Sequence, residues 1–550
     1  AYAGVSDYQS RLNNDSTYYK YGNPSAAFSA SSASQLTLPA NWQTANPALG
    51  ISASDPWAQI PVDPSAAATA TKSYFRYEVD LSSFASQGVI RLRSTGRVGS
   101  VTRSVVATLK QSAFLDYLYS TDFETSDPDV TPSTQGSTVC NVYLWQSPTR
   151  PSSCPTIQFG PFDTLNGPVH SNDTLTICGS TFKGSVSTAN PNKPTYITPS
   201  GCSAPSFKVS TDPSVTPTIP LPATNSGLIN NTMTDQPSVP QPGCLYTGPT
   251  VISFDGTGNM RVWSPYTRMT QITSSRTSGS TPAMCGSISA LHSTAGALVP
   301  VLNSNMVFVQ SVPTTSTDVN YWAPGTTPSG LSCQSVSQGS GTSSGGWKFG
   351  SFQFPVQNEV LPSSSTSGYP AYSCTNGDLY VSGTVVGQTT LAADHYIYVT
   401  GDLTYGSTSR DILGLIGQNA VWVWNPIVSS SSWFSTSYSY YLNDTNRTID
   451  AAILSVSHTF QVQNYDGGAP NLGTRGTLTV LGAIAQKYRG TVATTNNNTL
   501  VSGYAKNYQY DTRFASTSPP DFLTPTSTTY RILQYAGVKA VYNADGSPAS

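Results

Sequence analysis

The chain has 550 residues, 26 Lys and Arg against 28 Asp and Glu for a net charge of −2, and only 10% charged residues. That length allows a sizeable core and two to four structural units at about 150 residues each, while the scattered basic residues leave no footprint for nucleic acid or anionic lipid. A charge content well below the roughly 25% of an ordinary soluble domain, with Ser, Thr, Gly, Pro, Asn and Tyr in its place, is that of an extracellular β protein.

At the N-terminus, Ala1, Val5, Tyr8 and Leu12 recur at helical spacing and form one face of an amphipathic helix. The pattern is already under way at Ala1, which suggests a processed or truncated ectodomain. Residues 23–64, rich in Ser, Ala and Pro but carrying Trp42 and Trp57, read as an extended connector packed on something. From Lys72 to Lys110 apolar and polar residues alternate in three runs, Tyr74 to Leu81, Val89 to Ser94 and Val101 to Leu109, broken at Ser86-Gln87-Gly88 and Gly96 to Gly99. That is an antiparallel meander with one wet face. A short helix or turn is expected from Gln111 to Ser120, followed by an acidic string.

Beyond it the eight cysteines, Cys140, Cys154, Cys178, Cys202, Cys244, Cys285, Cys333 and Cys374, sit in loop-like contexts with no C-x-x-C pair. Such usage points to disulfides in an oxidising compartment and away from zinc. Many connectivities are open, and pairing of sequence neighbours, which clips four local excursions, is the expected one. The first rung of a solenoid is expected near Asn166, with middle rungs at Val251 to Phe254, Met260 to Trp263, Leu298 to Leu302, Met306 to Val309 and Trp347 to Phe354. Residues 204–250 and 311–345, dominated by Pro, Ser, Thr and Gly, read as long loops in which specificity would reside.

The most regular pattern runs from Asn376 to Gly490. Apolar runs at Leu379 to Val386, Tyr396 to Tyr405, Ile412 to Trp424, Ile449 to Val462 and Thr477 to Ala485 are bounded by Gly, Asn, Asp or Ser. Their spacing predicts an irregular parallel β-helix whose coils share one core. No run of about 18 apolar residues suggests a membrane span.

Several segments in order resemble the large pilin-like (prepilin-like) proteins of actinobacterial type IV pilus clusters. They are Ala3-Gly-Val-Ser-Asp-Tyr8, Ser94-Thr-Gly-Arg-Val-Gly99, Asp122-Phe-Glu-Thr125, Gly167-Pro-Val-His-Ser-Asn-Asp-Thr174, Leu413 to Asn419, Ile449 to Ile453, Gly482 to Gly490, Gly503 to Tyr508, Tyr510 to Arg513 and Ser518-Pro-Pro520. The resemblance implies a membrane-inserting helix preceding Ala1, an exposed globular part, filament partners and no catalytic residues. Together with the strand pattern it suggests 1–22 as the end of a pilin-type helix and 23–130 as a pilin-like β-sheet region, while the spacing of apolar runs marks 131–510 as the irregular β-helix with loop insertions and leaves 511–550 as an extended tail.

Candidate chemistry is sparse. Asp122, Glu124, Asp127 and Asp129 offer hard oxygen ligands that suit Ca²⁺, though without the Gly and terminal Glu of an EF-hand; a solvated acidic turn is the competing reading. Asp378, Asp394, Asp402, Asp411 and Asp450 would serve a polysaccharide-cleaving β-helix only if two converged across neighbouring coils. His170, His292, His395 and His458 are too dispersed to suggest a metal cluster. Trp422 and Trp424 alternate as core residues, whereas Trp433, Phe434, Tyr438, Tyr440 and Tyr441 lie in a Ser-rich run that suits either a core or a surface for sugar or protein. The expected protein is a non-catalytic, cofactor-free surface or pilus subunit. It would contact other pilus subunits and a host or environmental glycan or protein, touching a membrane only through its helix. A secreted carbohydrate-active β-helix enzyme and a cell-wall structural protein are the alternatives.

Overall fold

The computed structural model describes residues 1–61, 72–84, 88–111, 113–129, 140–147, 150–151, 154–337, 343–361, 371–467, 472–496, 499–525 and 530–549. Part of the expected connector and the Ser86-Gln87 turn lie outside these residues. The protein is mainly β, with an N-terminal helix, a small antiparallel sheet, a large mixed sheet and four disulfides. It divides into two compact units, residues 1–113 with 525–550, and residues 114–524.

In the first unit the helix Tyr2–Asn14 buries Gly4, Val5, Tyr8 and Leu12, the face read from the sequence. These side chains meet Phe75, Tyr77, Ile90, Leu92, Ala107 and Leu109 in one core. Gly4 is required by close approach, because a methyl there would run into Ser94 Oγ and the Phe75 ring. The sheet orders Ala58–Gln59, Ser73–Asp80, Val89–Val98, Val101–Gln111 and Tyr530–Val538, all antiparallel. Residues 511–550 are therefore not simply an extended tail: their Tyr530–Val538 stretch is a strand in register with Val101–Gln111. The chain leaves this sheet after Gln111 and returns to it at Tyr530, and all of the second unit is inserted between.

The expected wet face of the meander is also covered in part. Arg76, Glu78 and Asp80 are buried on it. The Arg76 guanidinium lies 4.0 Å from the Trp57 ring and 5.0 Å from that of Tyr542, and donates to the Ser52 and Gly546 carbonyls. Arg93 grips Glu78 through two bonds of 2.7 and 2.8 Å. Cation–π and bidentate pairing let charged residues line a covered face.

The second unit is built on parallel ladders. One joins, in spatial order, Cys244–Thr247, Asn305–Gln310, Gln388–Ala393, Ile412–Gly417, the second half of Arg447–Ser455, the second half of Thr474–Tyr488, Tyr119–Phe123, Val169–Ser171, Val186–Thr188 and Ser214–Val215. A second runs from Thr250–Asp255 through Leu379–Val385, Ile397–Tyr405, Arg447–Ser455, Thr474–Tyr488, Thr499–Tyr510, Thr164–Asn166 and Thr181–Phe182 to Ser206–Phe207. A third stacks Leu379–Val385, Ile397–Tyr405, Val421–Val423 and Phe460–Val462. The backbone groups of each strand are thus shared with the coils on either side, and apolar side chains such as Leu391, Leu415, Ile453 and Ile484 join one continuous core.

Spatial order departs from sequence order. The chain enters the ladder at Tyr119–Phe123, in its middle, and winds outward to Ser214–Val215. It then restarts at the opposite end with Cys244–Thr247 and winds back until Thr499–Tyr510 closes on Thr164–Asn166. The parallel ladders therefore begin before Asn166 and before residue 131; within the expected helix or turn of Gln111 to Ser120, Phe114–Asp116 is a 3-10 turn, and the strand Tyr119–Phe123 takes over its last two residues. At the restarting end, Thr250–Asp255 is followed by antiparallel Asn259–Trp263 and Ala297–Pro300, a change of direction that covers the end of the ladder.

The Pro- and Ser-rich excursions also differ from expectation. Within residues 204–250, Ile219, Leu228 and Met233 are buried against Phe308, Ala392, Ile416 and Leu454 on the outer side of the first ladder. Asn225 holds them there, donating to the Ala393 carbonyl at 2.7 Å. Within and beyond 311–345, Leu331, Trp347, Phe349 and Phe354 cover Tyr380, Tyr398, Trp422 and Trp424. Ladders covered on both sides need apolar residues at consecutive positions, which is why Ile412 to Ile416 reads as an unbroken apolar run.

Candidate functional site: an exposed aromatic hairpin and a buried polar centre

The four disulfides join Cys140 to Cys154, Cys178 to Cys202, Cys244 to Cys285 and Cys333 to Cys374, the pairing of sequence neighbours. They close the local loops 140–154, 178–202, 244–285 and 333–374, and the insertion at residues 426–446 lies outside all four.

That insertion is a β-hairpin of Ile427–Ser431 and Thr436–Tyr440, with Glu359–Val360 as a third antiparallel strand. Its base is anchored by buried Ile427 and by Tyr440, whose hydroxyl donates to the Gly473 carbonyl at 2.8 Å while Arg475 lies 4.4 Å from its ring. At the turn Ser432 N–H donates to the Ser435 carbonyl at 2.8 Å, and Trp433 and Phe434 project outward, each 99% exposed. Tyr438 and Tyr441 are exposed as well. Of the expected contact residues, Tyr440 belongs to the anchor and the other four to the surface, whereas Trp422 and Trp424 are core residues.

Glu359, in this third strand, has a carboxylate that accepts from Tyr372 Oη at 2.7 Å, Gln463 Nε2 at 2.9 Å and Val356 N at 2.9 Å. Desolvation outweighs these bonds and pushes its carboxyl up to about 7.

The acidic string is not a solvated turn. Asp122 accepts from Tyr143 Oη and Asn172 Nδ2, and burial raises its carboxyl above the usual range. Glu124 is paired with Arg489 at 2.8 Å, both fully buried, and the Arg489 guanidinium also lies 3.5 Å from the Phe159 ring. Desolvation raises the Glu124 carboxyl as well. Asp173 completes this centre by accepting from Arg150 Nη1 at 2.6 Å, Leu144 N at 2.6 Å and Glu124 N at 3.1 Å, tying the Cys140–Cys154 loop to the ladder. His170 donates from Nε2 to Asn172 Oδ1 at 2.9 Å and accepts at Nδ1 from Ser187 Oγ at 3.0 Å; burial lowers its pKa to about 4, so the ring is neutral.

Asp127 and Asp129 part company with Asp122 and Glu124. They meet His458, which is 331 residues away in sequence and whose Nδ1 lies 2.9 Å from Asp127 Oδ2. One ligand atom of each of the three lies within 4.8 Å of the others. Dispersion of the histidines in sequence therefore did not exclude a shared site for His458. The donor set, one imidazole and two carboxylates, suits a first-row transition metal better than Ca²⁺.

The ladder aspartates are engaged separately. Asp378 is bonded to His395 Nδ1 at 2.6 Å, and Asp394 to Ser311, with burial raising the Asp394 carboxyl to about 6. Asp411 caps Gly387 and Ser407, Asp450 accepts from Tyr405 N, and Asp402 accepts from Thr448 N. A cavity of about 250 Å³ elsewhere is lined by Gln158, Phe162, Asp163, Thr495, Tyr504 and Lys506, with its Lys506–Asp163 pair closed at 2.7 Å.

Sequence reasoning missed Arg150, Asp173 and Arg489. The available signal was a charged residue closing or interrupting an apolar run, as Asp173 does before Leu175 and Arg489 after Ala483 to Ala485.

The fold and site together define a mainly β protein in which a helix-on-sheet unit is interrupted by an inserted unit whose large mixed sheet is built on parallel ladders. No family model and no curated protein matches the chain. Among solved structures it is similar to the crystal structure of the competence-associated pilin ComZ from Thermus thermophilus, at 10% identity and a TM-score of 0.29 over 88% of this chain and 87% of that one. Among the described residues, no helix is long and apolar enough to cross a membrane.

Proposed function

We propose that this chain is a pilin-like subunit associated with a type IV pilus, of the actinobacterial prepilin-like kind, which works at the cell surface without catalysis by displaying a loop for adhesion or contact. The observation that carries the reading is the first unit: an amphipathic helix laid on an antiparallel sheet, with the solenoid inserted between its Val101–Gln111 and Tyr530–Val538 strands. An insertion of this kind keeps the helix-bearing unit for assembly and leaves the solenoid to carry a contact site. The disulfides agree with an oxidising extracellular setting, and the carboxylates of the ladder are committed to structural bonds. Other pilus subunits are the expected partners of the first unit.

The test is fractionation of cells by shear. Recovery of the chain in the filament fraction, with loss or alteration of filaments on deletion of its gene, supports the reading. Recovery only with cell-wall material, with filaments intact after deletion, overturns it in favour of a wall protein.

A further inference from the structure

The hairpin at residues 426–446 differs from the stretches at 219–233 and 331–354, whose large apolar residues are folded down as covers. A chain that leaves Trp433 and Phe434 both 99% exposed holds two of its largest apolar groups in water. Large apolar groups exposed together mark an interaction site. Three further features decide what the partner is.

The first is charge. From Ile412 to Asn443 the sequence has no Asp, Glu, Lys, Arg or His, so the strands and tip of the hairpin offer no steering toward a charged protein or polyanion and no charge to take out of water. The second is polar satisfaction. The strands pair up to Ser431 with Thr436, and Ser432 and Ser435 close the turn. The hydroxyls nearest the tip bond within the hairpin: Ser431 Oγ with Thr436 Oγ1 at 3.1 Å, Ser432 Oγ to the Ser435 carbonyl at 3.1 Å, and Ser437 Oγ to the Ser430 carbonyl at 3.3 Å. A glycan site needs polar groups directed at the ligand beside its stacking rings, whereas a bilayer demands that the backbone satisfy itself. The third is order along the hairpin. Apolar rings occupy the extreme tip, with the amphipathic Tyr438 and Tyr441 behind them, an arrangement matched to the headgroup region where Trp and Tyr concentrate.

We propose that the Trp433–Phe434 tip inserts into the interface of a lipid bilayer and recognises its apolar boundary, not a charged headgroup. The hairpin acts as a shallow anchor whose strength comes from two rings, and its rigid, internally bonded strands hold those rings ready. This deepens the display reading and rests on it in one respect, that the hairpin faces away from neighbouring subunits.

The experiment is flotation of the purified chain with phosphatidylcholine vesicles, together with quenching of tryptophan emission by brominated lipid. Wild-type protein should float with the vesicles, equally at about 0.05 M and about 0.5 M salt, since no charge pair is involved. The Trp433→Ala/Phe434→Ala variant should bind about tenfold or more weakly, with its unfolding temperature unchanged because the rings touch nothing. Bromolipid quenching should disappear in Trp433→Phe, which retains an apolar ring and still floats. Failure to float overturns the proposal, as does flotation that survives the double substitution. Binding to an insoluble polysaccharide without vesicle binding would assign the tip to a glycan, and self-association abolished by the double substitution would assign it to a second copy; either overturns the lipid assignment. A chain found in filaments that ignores vesicles defeats this inference alone, while vesicle binding by a chain absent from filaments defeats the filament reading alone.

Discussion

The coils between Leu379 and Ser455 and those between Tyr119 and Thr188 lie on the same parallel ladder and are stabilised by different chemistry. In the former, Leu391, Leu415 and Ile453 stack in an aliphatic core, and the outer surface is covered by further apolar residues. The latter have an aliphatic interior too, but around it Glu124 and Arg489, Asp173 and Arg150, and His170 with Asn172 are buried. Aliphatic stacking is tolerant of geometry and builds stability from area. Buried ion pairs contribute little net stability, yet they penalise every arrangement in which a partner is missing. The polar centre lies where Tyr119–Phe123 joins Thr474–Tyr488, segments far apart in sequence. A join between remote segments gains most from groups that tolerate one partner only, so the polar pairs fix register where local sequence cannot.

Substitutions can break this comparison, and the largest effect is expected at its polar side. Arg489→Ala leaves Glu124 buried without its cation and removes the contact with Phe159, so it should cost about 4 kcal/mol in denaturant unfolding of the solenoid. Replacing both partners, Glu124→Leu with Arg489→Met, should restore most of that loss. If the double variant were as unstable as the single one, the pair would contribute more than mutual compensation. On the apolar side, Leu415→Ala should cost about 3 kcal/mol, and no second substitution at a remote site should rescue it.

How much of this was legible follows the same division. The apolar runs marked the strands Leu379–Val385 and Ile397–Tyr405 to within a residue or two, because a strand covered on both sides must be apolar throughout, whereas the run Ile412 to Trp424 merged two strands, Ile412–Gly417 and Val421–Val423. Gln388–Ala393 escaped notice since its Thr and Ala residues, though buried, carry a weak pattern. The face of the first helix and the cysteine pairing were local and readable. Tyr119–Phe123 was not, because Asp122 and Glu124 look like surface acids until Asn172 and Arg489 are placed beside them. The covering role of residues 204–250 was hidden for a similar reason: Ile219, Leu228 and Met233 are too widely spaced to form a pattern of their own. For the aromatic run, alternation alone could not separate core from surface; the hairpin turn at Ser432 to Ser435 decides it.

A smaller effect is expected with pH. His170 has its pKa lowered from 6.5 to about 4, so the unfolded chain takes up a proton before the folded one does. Its contribution is intact above pH 6.5 and is lost as pH falls toward 4, amounting to about 2 kcal/mol at pH 5. Melting curves of His170→Gln should therefore fall less between pH 7 and pH 5 than those of the wild type. Glu359 has the opposite sign, since a carboxyl raised to about 7 costs stability progressively as pH rises from 4.5. Glu359→Gln should remove that loss near the hairpin base. The smallest effect of all belongs to the tip: Trp433→Ala and Phe434→Ala should change stability by less than about 0.5 kcal/mol, which separates a contact surface from a structural one.

The central claim, that the inserted solenoid presents this hairpin from a pilus-associated subunit, is tested most directly by immunogold microscopy of intact cells with an antibody raised against the Ser429 to Tyr441 segment. Gold on filaments, lost when the hairpin sequence is replaced by a short Gly-Ser turn, is the predicted result. Gold confined to the cell wall while filaments stay unlabelled would contradict the account.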